Sequence, residues 1–243
     1  MIQMSKPMKY FGIVQVTLSI LVMPFGFLVW GLSAIPGIWF FQQASSMYDG
    51  WYQLLAQGVA FGLGIMIWCL LVLIILSIFG AILRPKSESA QAPTESWLTI
   101  RWAFMSLFQR LAMPSLQHLV PSFIGNMYFS MMGMKIGKGA QIVSPNINDC
   151  YMVEVGERSI IGGSAVINGH LYEKDGIHLS KVKIGSKCVI GTYSQINPGC
   201  VIGDKAVIAS KAVLPKHTVV PPGEVWGGIP AKCIRKADGS KPE

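Results

Sequence analysis

The chain has 243 residues, of which 51% are hydrophobic and only 13% charged, with a formal net charge of +8. That balance is unlike an ordinary soluble domain. The positive charge comes with no nucleic-acid-binding motif, so nucleic acid ranks last among expected partners. The five cysteines (Cys69, Cys150, Cys188, Cys200 and Cys233) make no CxxC pair, which predicts free thiols rather than a disulfide framework or a zinc site.

The apolar excess is concentrated at the N-terminal end. Residues 11–41 and 51–83 carry no Asp, Glu, Lys, Arg or His, and each stretch exceeds the roughly 20 residues that cross a bilayer. Two membrane spans are predicted within residues 1–84, forming a hairpin. The first is much longer than the core of a secretory signal, about 7–15 residues, and leads almost directly to the second, so it is expected to stay on the mature chain. Lys6 and Lys9 precede the hairpin and Arg84 and Lys86 follow it, whereas the connection at residues 42–50 carries Asp49 and no basic residue. Both termini are therefore predicted to face the cytosol, as in an integral membrane protein. Pro24 and Pro36 predict bends in the first helix. Gly58 and Gly62, at GxxxG spacing, offer a surface for close helix contact in the second.

Residues 85–96 (PKSESAQAPTES) lack large apolar side chains and read as a polar linker. Residues 97–132 follow, beginning with Trp97, Arg101, Trp102, Phe104, Phe108, Arg110 and Leu111. This segment is expected either to lie along the membrane surface as an amphipathic helix or to pack on the C-terminal domain. All but two of the 20 basic residues lie after residue 83. Attraction to anionic lipid, a phosphate-rich ligand, and ordinary solubility all account for that placement.

From residue 133 to the end the periodicity changes. An aliphatic residue recurs every six positions: Ile184, Ile190, Ile196, Ile202, Ile208, Leu214 and Val220. An earlier block with the same six-residue spacing holds Val155, Ile161 and Ile167, and Ile136 and Ile142 start the series. Small residues or Thr fill the fifth position of most units (Cys188, Ser194, Cys200, Ala206, Ala212, Thr218). Such a repeat predicts a triangular solenoid of about four turns: each unit supplies one flat strand, three units close a turn, and the aliphatic side chains stack inside. The expected fold is thus an α-helical transmembrane hairpin followed by a mainly-β solenoid, with both ends of the solenoid needing covers. The single interruption lies between Ile167 and Ile184, where residues 173–181 loop out just after His170. Loops projecting from a rigid scaffold are where binding and catalytic groups concentrate.

Three pieces in this order, Gly169-His170-Leu171-Tyr172-Glu173, the run of residues 182–214, and the ending WGGIPAKCIRK from Trp226, resemble the hexapeptide acyltransferases, the group that includes the maltose, galactoside and antibiotic acetyltransferases. The architecture is also similar to the membrane-anchored solenoids that end large amino-acid-polymerising synthetases. The resemblance implies a left-handed parallel β-helix, a homotrimer with sites between neighbouring solenoids, acetyl-CoA or another acyl-CoA as co-substrate, and no metal. It implies His170 as general base on an acceptor hydroxyl or amine, a role that suits an imidazole because it titrates near neutral pH. It further implies Glu173 as an orienting or acceptor-binding carboxylate, Asp149 as an acceptor contact, and Thr192 as a hydroxyl beside the thioester oxygen. Ala209 and Ser210 would line the pantetheine arm, Lys216 would meet the nucleotide phosphates, and Trp226 with Gly228 and Pro230 would close the cofactor groove. Gln141 and Val189 depart from the sugar acetyltransferases, as does the shortened approach to His170. Those departures leave the acceptor open, and the membrane attachment suggests a membrane-associated one such as a lipid-linked sugar, with membrane lipids as further partners. Two other readings stand beside this one: a γ-carbonic-anhydrase-like metalloenzyme, which needs three clustered histidines, and a non-catalytic trimeric scaffold.

Overall fold

A computed structural model describes residues 3–4, 9–86 and 89–242. Lys6 of the orientation argument, and Ser87 and Glu88 of the expected linker, lie outside these residues. The chain opens with two long helices, α1 (Phe11–Met47) and α2 (Gly50–Leu83), both long and apolar enough to cross a membrane. At 37 and 34 residues they run about 50–55 Å at 1.5 Å per residue. Pro24 and Pro36 both sit inside α1. The close contact between the helices is not at Gly58 or Gly62, which have nothing within 4 Å of a Cβ position. It is at Gly37 and Gly64, where a Cβ built on Gly37 would lie 2.8 Å from the Gly64 Cα. The glycine of α2 at the crossing is thus Gly64, two residues beyond the GxxxG pair.

Two further helices, α3 (Trp97–Leu119) and α4 (Phe123–Met131), join the hairpin to the solenoid. Each starts at a serine whose hydroxyl accepts from backbone N–H groups of the first turn: Ser96 from Thr99, and Ser122 from Ile124 and Gly125. The helix α3 is packed, with Phe108, Ala112 and Leu116 buried. Arg101 donates to the carbonyls of Leu83 at 2.9 Å and Arg84 at 2.6 Å, satisfying acceptors that the end of α2 leaves open. The Trp30 indole donates to the Leu111 carbonyl at 3.2 Å, and the Trp68 indole to the Trp30 carbonyl at 3.0 Å. These bonds tie α1 to α3 and α2.

The remainder is a parallel β-helix with three faces, the left-handed hexapeptide architecture. The first face stacks Lys135–Ile136, Val153–Val155, Val182–Ile184, Val201–Ile202 and Val219–Val220. The second stacks Gln141–Ile142, Ile160–Ile161, Val189–Ile190, Val207–Ile208 and Val225–Gly228, the last paired antiparallel with Ala231–Arg235. The third stacks Ile147–Asn148, Val166–Asn168, Gln195–Ile196 and Val213–Leu214. The six-residue period appears as burial: Ile161, Ile167, Ile190, Ile196, Ile208 and Leu214 are all fully enclosed. The small fifth-position residues Cys188, Ser194, Cys200, Ala206 and Ala212 are buried at the corners. Tyr128, Phe129 and Met132 of the α4 region are buried in a core continuous with the first turn of the solenoid.

The break after His170 is not an irregular loop. It is a two-stranded hairpin, His170–Glu173 against Gly176–Ser180, and its outer strand pairs in turn with Ser89–Ala92. Part of the segment read as a polar linker is therefore a strand. Its sequence, Ser-Ala-Gln-Ala, has no strand-forming side chain to reveal it, and its pairing comes from the edge of the hairpin.

Candidate functional site

His170 and Asp149 both leave the third face at the edge where the chain turns toward the first. Asp149 follows the strand Ile147–Asn148 and takes a left-handed conformation, φ 56° and ψ 50°. His170 leaves the next turn at the same edge. Between them Gly169 makes the approach possible, since a Cβ there would fall 2.8 Å from the Asp149 Cβ and 2.7 Å from the Met152 Cβ. The result is a hydrogen bond of 2.5 Å between His170 Nδ1 and Asp149 Oδ2, with the carboxylate 1% exposed and the imidazole 23% exposed. Side-chain amides brace the pair from below: Asn148 donates to Asn168 at 2.8 Å, and Gln109 of α3 donates to Asn148 at 3.4 Å.

Asp149 also governs its neighbours. Burial, and then the Asp149 charge, push the Cys150 thiol up to about 12. The same two causes push the Tyr151 phenol well above its usual value. Both side chains stay protonated, so Cys150 is no nucleophile despite its position. Over the imidazole lies the Trp102 ring of α3, with centroids 4.6 Å apart; Trp102 also meets Tyr172 edge-on at 5.4 Å. Burial raises the Tyr172 phenol above its ordinary value.

The expected site residues fall into two groups. Glu173 does not reach the imidazole: it pairs with Lys216 and lies 3.7 Å from His178. Lys216, expected to face phosphates, is thus held by a carboxylate. Asp149, expected to contact an acceptor, is the buried partner of His170. Together His170, Asp149, Glu173 and Lys216 share the edge between the third and first faces. Thr192, Ala209 and Ser210 lie on a different edge, between the second and third faces, where the exposed Thr192 hydroxyl donates to Ser210 Oγ at 3.2 Å. Trp226 stands on the second face; its carbonyl accepts from the Ala209 N–H at 2.8 Å and its indole donates to Glu224 at 2.7 Å. Within one chain these residues are not gathered around His170.

Sequence reasoning missed Trp102 as a neighbour of His170, and it missed the pairing of His170 with Asp149. The first carries no sequence signal, because α3 reaches the solenoid only through tertiary packing. The second could have been read from Asp149 and His170 standing at equivalent ends of successive third-face strands. Among the described residues, one cluster could hold a metal: Glu173, Asp175 and His178 on the exposed hairpin. Its groups are already engaged, His178 Nε2 with Asp175 at 2.7 Å and Glu173 with Lys216. No three-histidine cluster forms within the chain among the described residues.

Comparison with known proteins bears on the solenoid. Residues 181–216 match the family model described as bacterial transferase hexapeptide (six repeats). That stretch of the solenoid, residues 181–216, thus carries the hexapeptide repeat. A Bacillus subtilis (strain 168) protein with a provisional acetyltransferase name, YvoF, is 33% identical over 111 residues, 44% of this chain and 63% of that protein. Among solved structures, a hexapeptide-repeat acetyltransferase from Vibrio cholerae complexed with acetyl coenzyme A matches at 24% identity, covering 43% of this chain and 61% of that one, with a TM-score of 0.39. A galactoside acetyltransferase in complex with coenzyme A matches at 22% identity over 56% of this chain and 82% of that one, TM-score 0.44. The chain thus spans under two thirds of the curated relative and of the Vibrio structure.

Proposed function

We propose that the hexapeptide domain is a CoA-dependent acyltransferase, an O-acetyltransferase in the first instance, with His170 as general base. The observation that carries this reading is the buried Asp149 carboxylate at 2.5 Å from His170 Nδ1, at the edge where the hairpin leaves the solenoid. A carboxylate there accepts the Nδ1 proton and fixes the tautomer in which Nε2 has a free lone pair. In the proposed step Nε2 takes the proton of an acceptor hydroxyl or amine as that atom bonds to the thioester carbonyl carbon. The tetrahedral oxyanion collapses, the carbon–sulfur bond breaks, and the imidazolium returns the proton to the departing CoA thiolate. Asp149 is in this account a positioning residue for the imidazole, and the same charge steadies the imidazolium.

The separation of the two residue groups on different edges supports a homotrimer. In it Thr192, Ala209, Ser210 and Trp226 of one copy face His170 of the next, with Thr192 donating to the oxyanion and the cofactor lying along the cleft. Lys216 would then exchange Glu173 for the CoA phosphates, leaving Glu173 to the acceptor. The two apolar helices and the distribution of Lys9, Arg84, Lys86 and Asp49 support a membrane-anchored chain with its catalytic domain in the cytosol, beside a membrane-associated acceptor such as a lipid-linked sugar. Release of CoA thiol from acetyl-CoA and longer acyl-CoAs, in the presence of membrane extract, tests the proposal. His170→Ala is expected to lower the rate about 10²- to 10⁴-fold, the span of a lost general base, and a variant with full activity would refute the assignment.

A further inference from the structure

Between the N-terminal half of α1 and the first turns of α3 lies a cleft of about 340 Å³, near the lower end of small-molecule sites at roughly 300–1,000 Å³. Its walls include Leu18 and Val22 of α1 and Ala103 and Leu107 of α3, and Trp102 and Tyr172 close it toward the solenoid. Those last two rings are the ones that meet each other beside His170. One boundary is thus shared by the apolar cleft and the imidazole.

We infer that this cleft holds the hydrocarbon tail of an amphiphilic acceptor and presents its hydroxyl or amine to His170. The inference rests on the acyl-transfer reading and adds to it the class of acceptor. Three features select a lipid tail. The surface of α1 around the cleft is apolar and open, with Val16, Ile20, Leu21 and Met23 each more than half exposed, so the cleft is continuous with a face that a bilayer would cover. The cleft is narrow, about 340 Å³, a volume that suits a single extended hydrocarbon chain. Finally, Trp102 Nε1 is buried without a hydrogen-bond partner among the described residues. Buried donors of this kind require an explanation; a small rotation of the Trp102 ring, which already lines the cleft, brings Nε1 to the polar end of a molecule seated there.

The test uses the full chain in lipid nanodiscs and two photoreactive long-chain alcohols, one with a diazirine near the hydroxyl and one with it near the chain end, followed by mass-spectrometric mapping. The first probe is expected to label Trp102 and Tyr172, the second Leu18 and Leu107. Ala103→Trp and, on the opposite wall, Ser19→Trp fill the cleft from positions that are exposed. Each is expected to reduce labelling there about tenfold, equivalent to about 1.4 kcal/mol of binding. Labelling at the separate apolar cleft beside Phe41 and Phe61 should not change. Labelling spread evenly over α1 and α2 and indifferent to either substitution overturns the cleft assignment, even where thiol release still depends on His170. Cleft labelling in a protein that releases no thiol from any acyl-CoA overturns the acyl-transfer reading, and with it the occupant's role as acceptor.

Discussion

Replacing Asp149 by Asn probes the His170 pair with little change of volume. The carboxylate is 1% exposed and sits 2.5 Å from Nδ1, so it is a charge-assisted hydrogen bond shielded from water. Bonds of that kind contribute about 1.5–3 kcal/mol, and each 1.4 kcal/mol is a factor of ten, which gives a loss of about 10- to 150-fold in kcat. The loss should reach the upper end of that range, because the Asn amide can donate to Nδ1 and so drive the proton onto Nε2, the atom that must be free. The assay is CoA-thiol release at saturating acyl-CoA, with thermal unfolding recorded beside it to show that the variant folds. KM for acyl-CoA should hold, since the Asp149 carboxylate is buried behind the imidazole and does not itself line the cleft between copies. A folded Asp149→Asn protein within about threefold of wild type, well below one charge-assisted bond, would refute the positioning role.

Gly169→Ala should act on the same pair by steric means: its Cβ would lie 2.7 Å from that of Met152 and 2.8 Å from that of Asp149. The strand must shift at a cost of about 1–3 kcal/mol, and kcat should fall together with the unfolding midpoint. In the hairpin, Gly37→Leu should lower the midpoint in detergent by a similar overpacking cost of about 1–3 kcal/mol, while Gly62→Leu, with nothing within 4 Å, should leave it unchanged. On the first face, a hydrogen bond from Lys135, with help from Lys181, holds the Glu154 carboxyl below the usual carboxylate range. A depressed carboxylate stabilises the fold above its unfolded value, about 4.3, and that contribution fades as pH falls through the lower folded value. Glu154→Gln should therefore lose about 1 kcal/mol near neutral pH and show a shallower loss of stability below about pH 4.3 than wild type; equal acid limbs would contradict this.

The solenoid was legible because its period is short and its inward positions tolerate only aliphatic side chains, so Ile190, Ile196, Ile202 and Ile208 announce both strand and face. The break was legible for the same reason, as a lapse of that period after Ile167. The partners of His170 were harder. Glu173 is close in sequence but belongs to a hairpin whose register turns it toward Lys216, whereas Asp149 is a full turn away and reaches the imidazole only because Gly169 lacks a Cβ. Trp102 and the Ser89–Ala92 strand depend on how α3 and the segment before it dock, a tertiary outcome with no local periodicity. The crossing at Gly37 and Gly64 likewise pairs residues from two helices, which a motif search along one helix does not find.

The central claim is tested most directly by following the acyl group itself. Detergent-purified protein would be incubated with isotope-labelled acetyl-CoA and membrane extract, and the extract examined by mass spectrometry for components that gain the label. The account predicts a labelled, membrane-derived hydroxyl or amine compound with wild-type protein and none with His170→Ala. The same labelled compound at the same rate from the His170→Ala protein would contradict it.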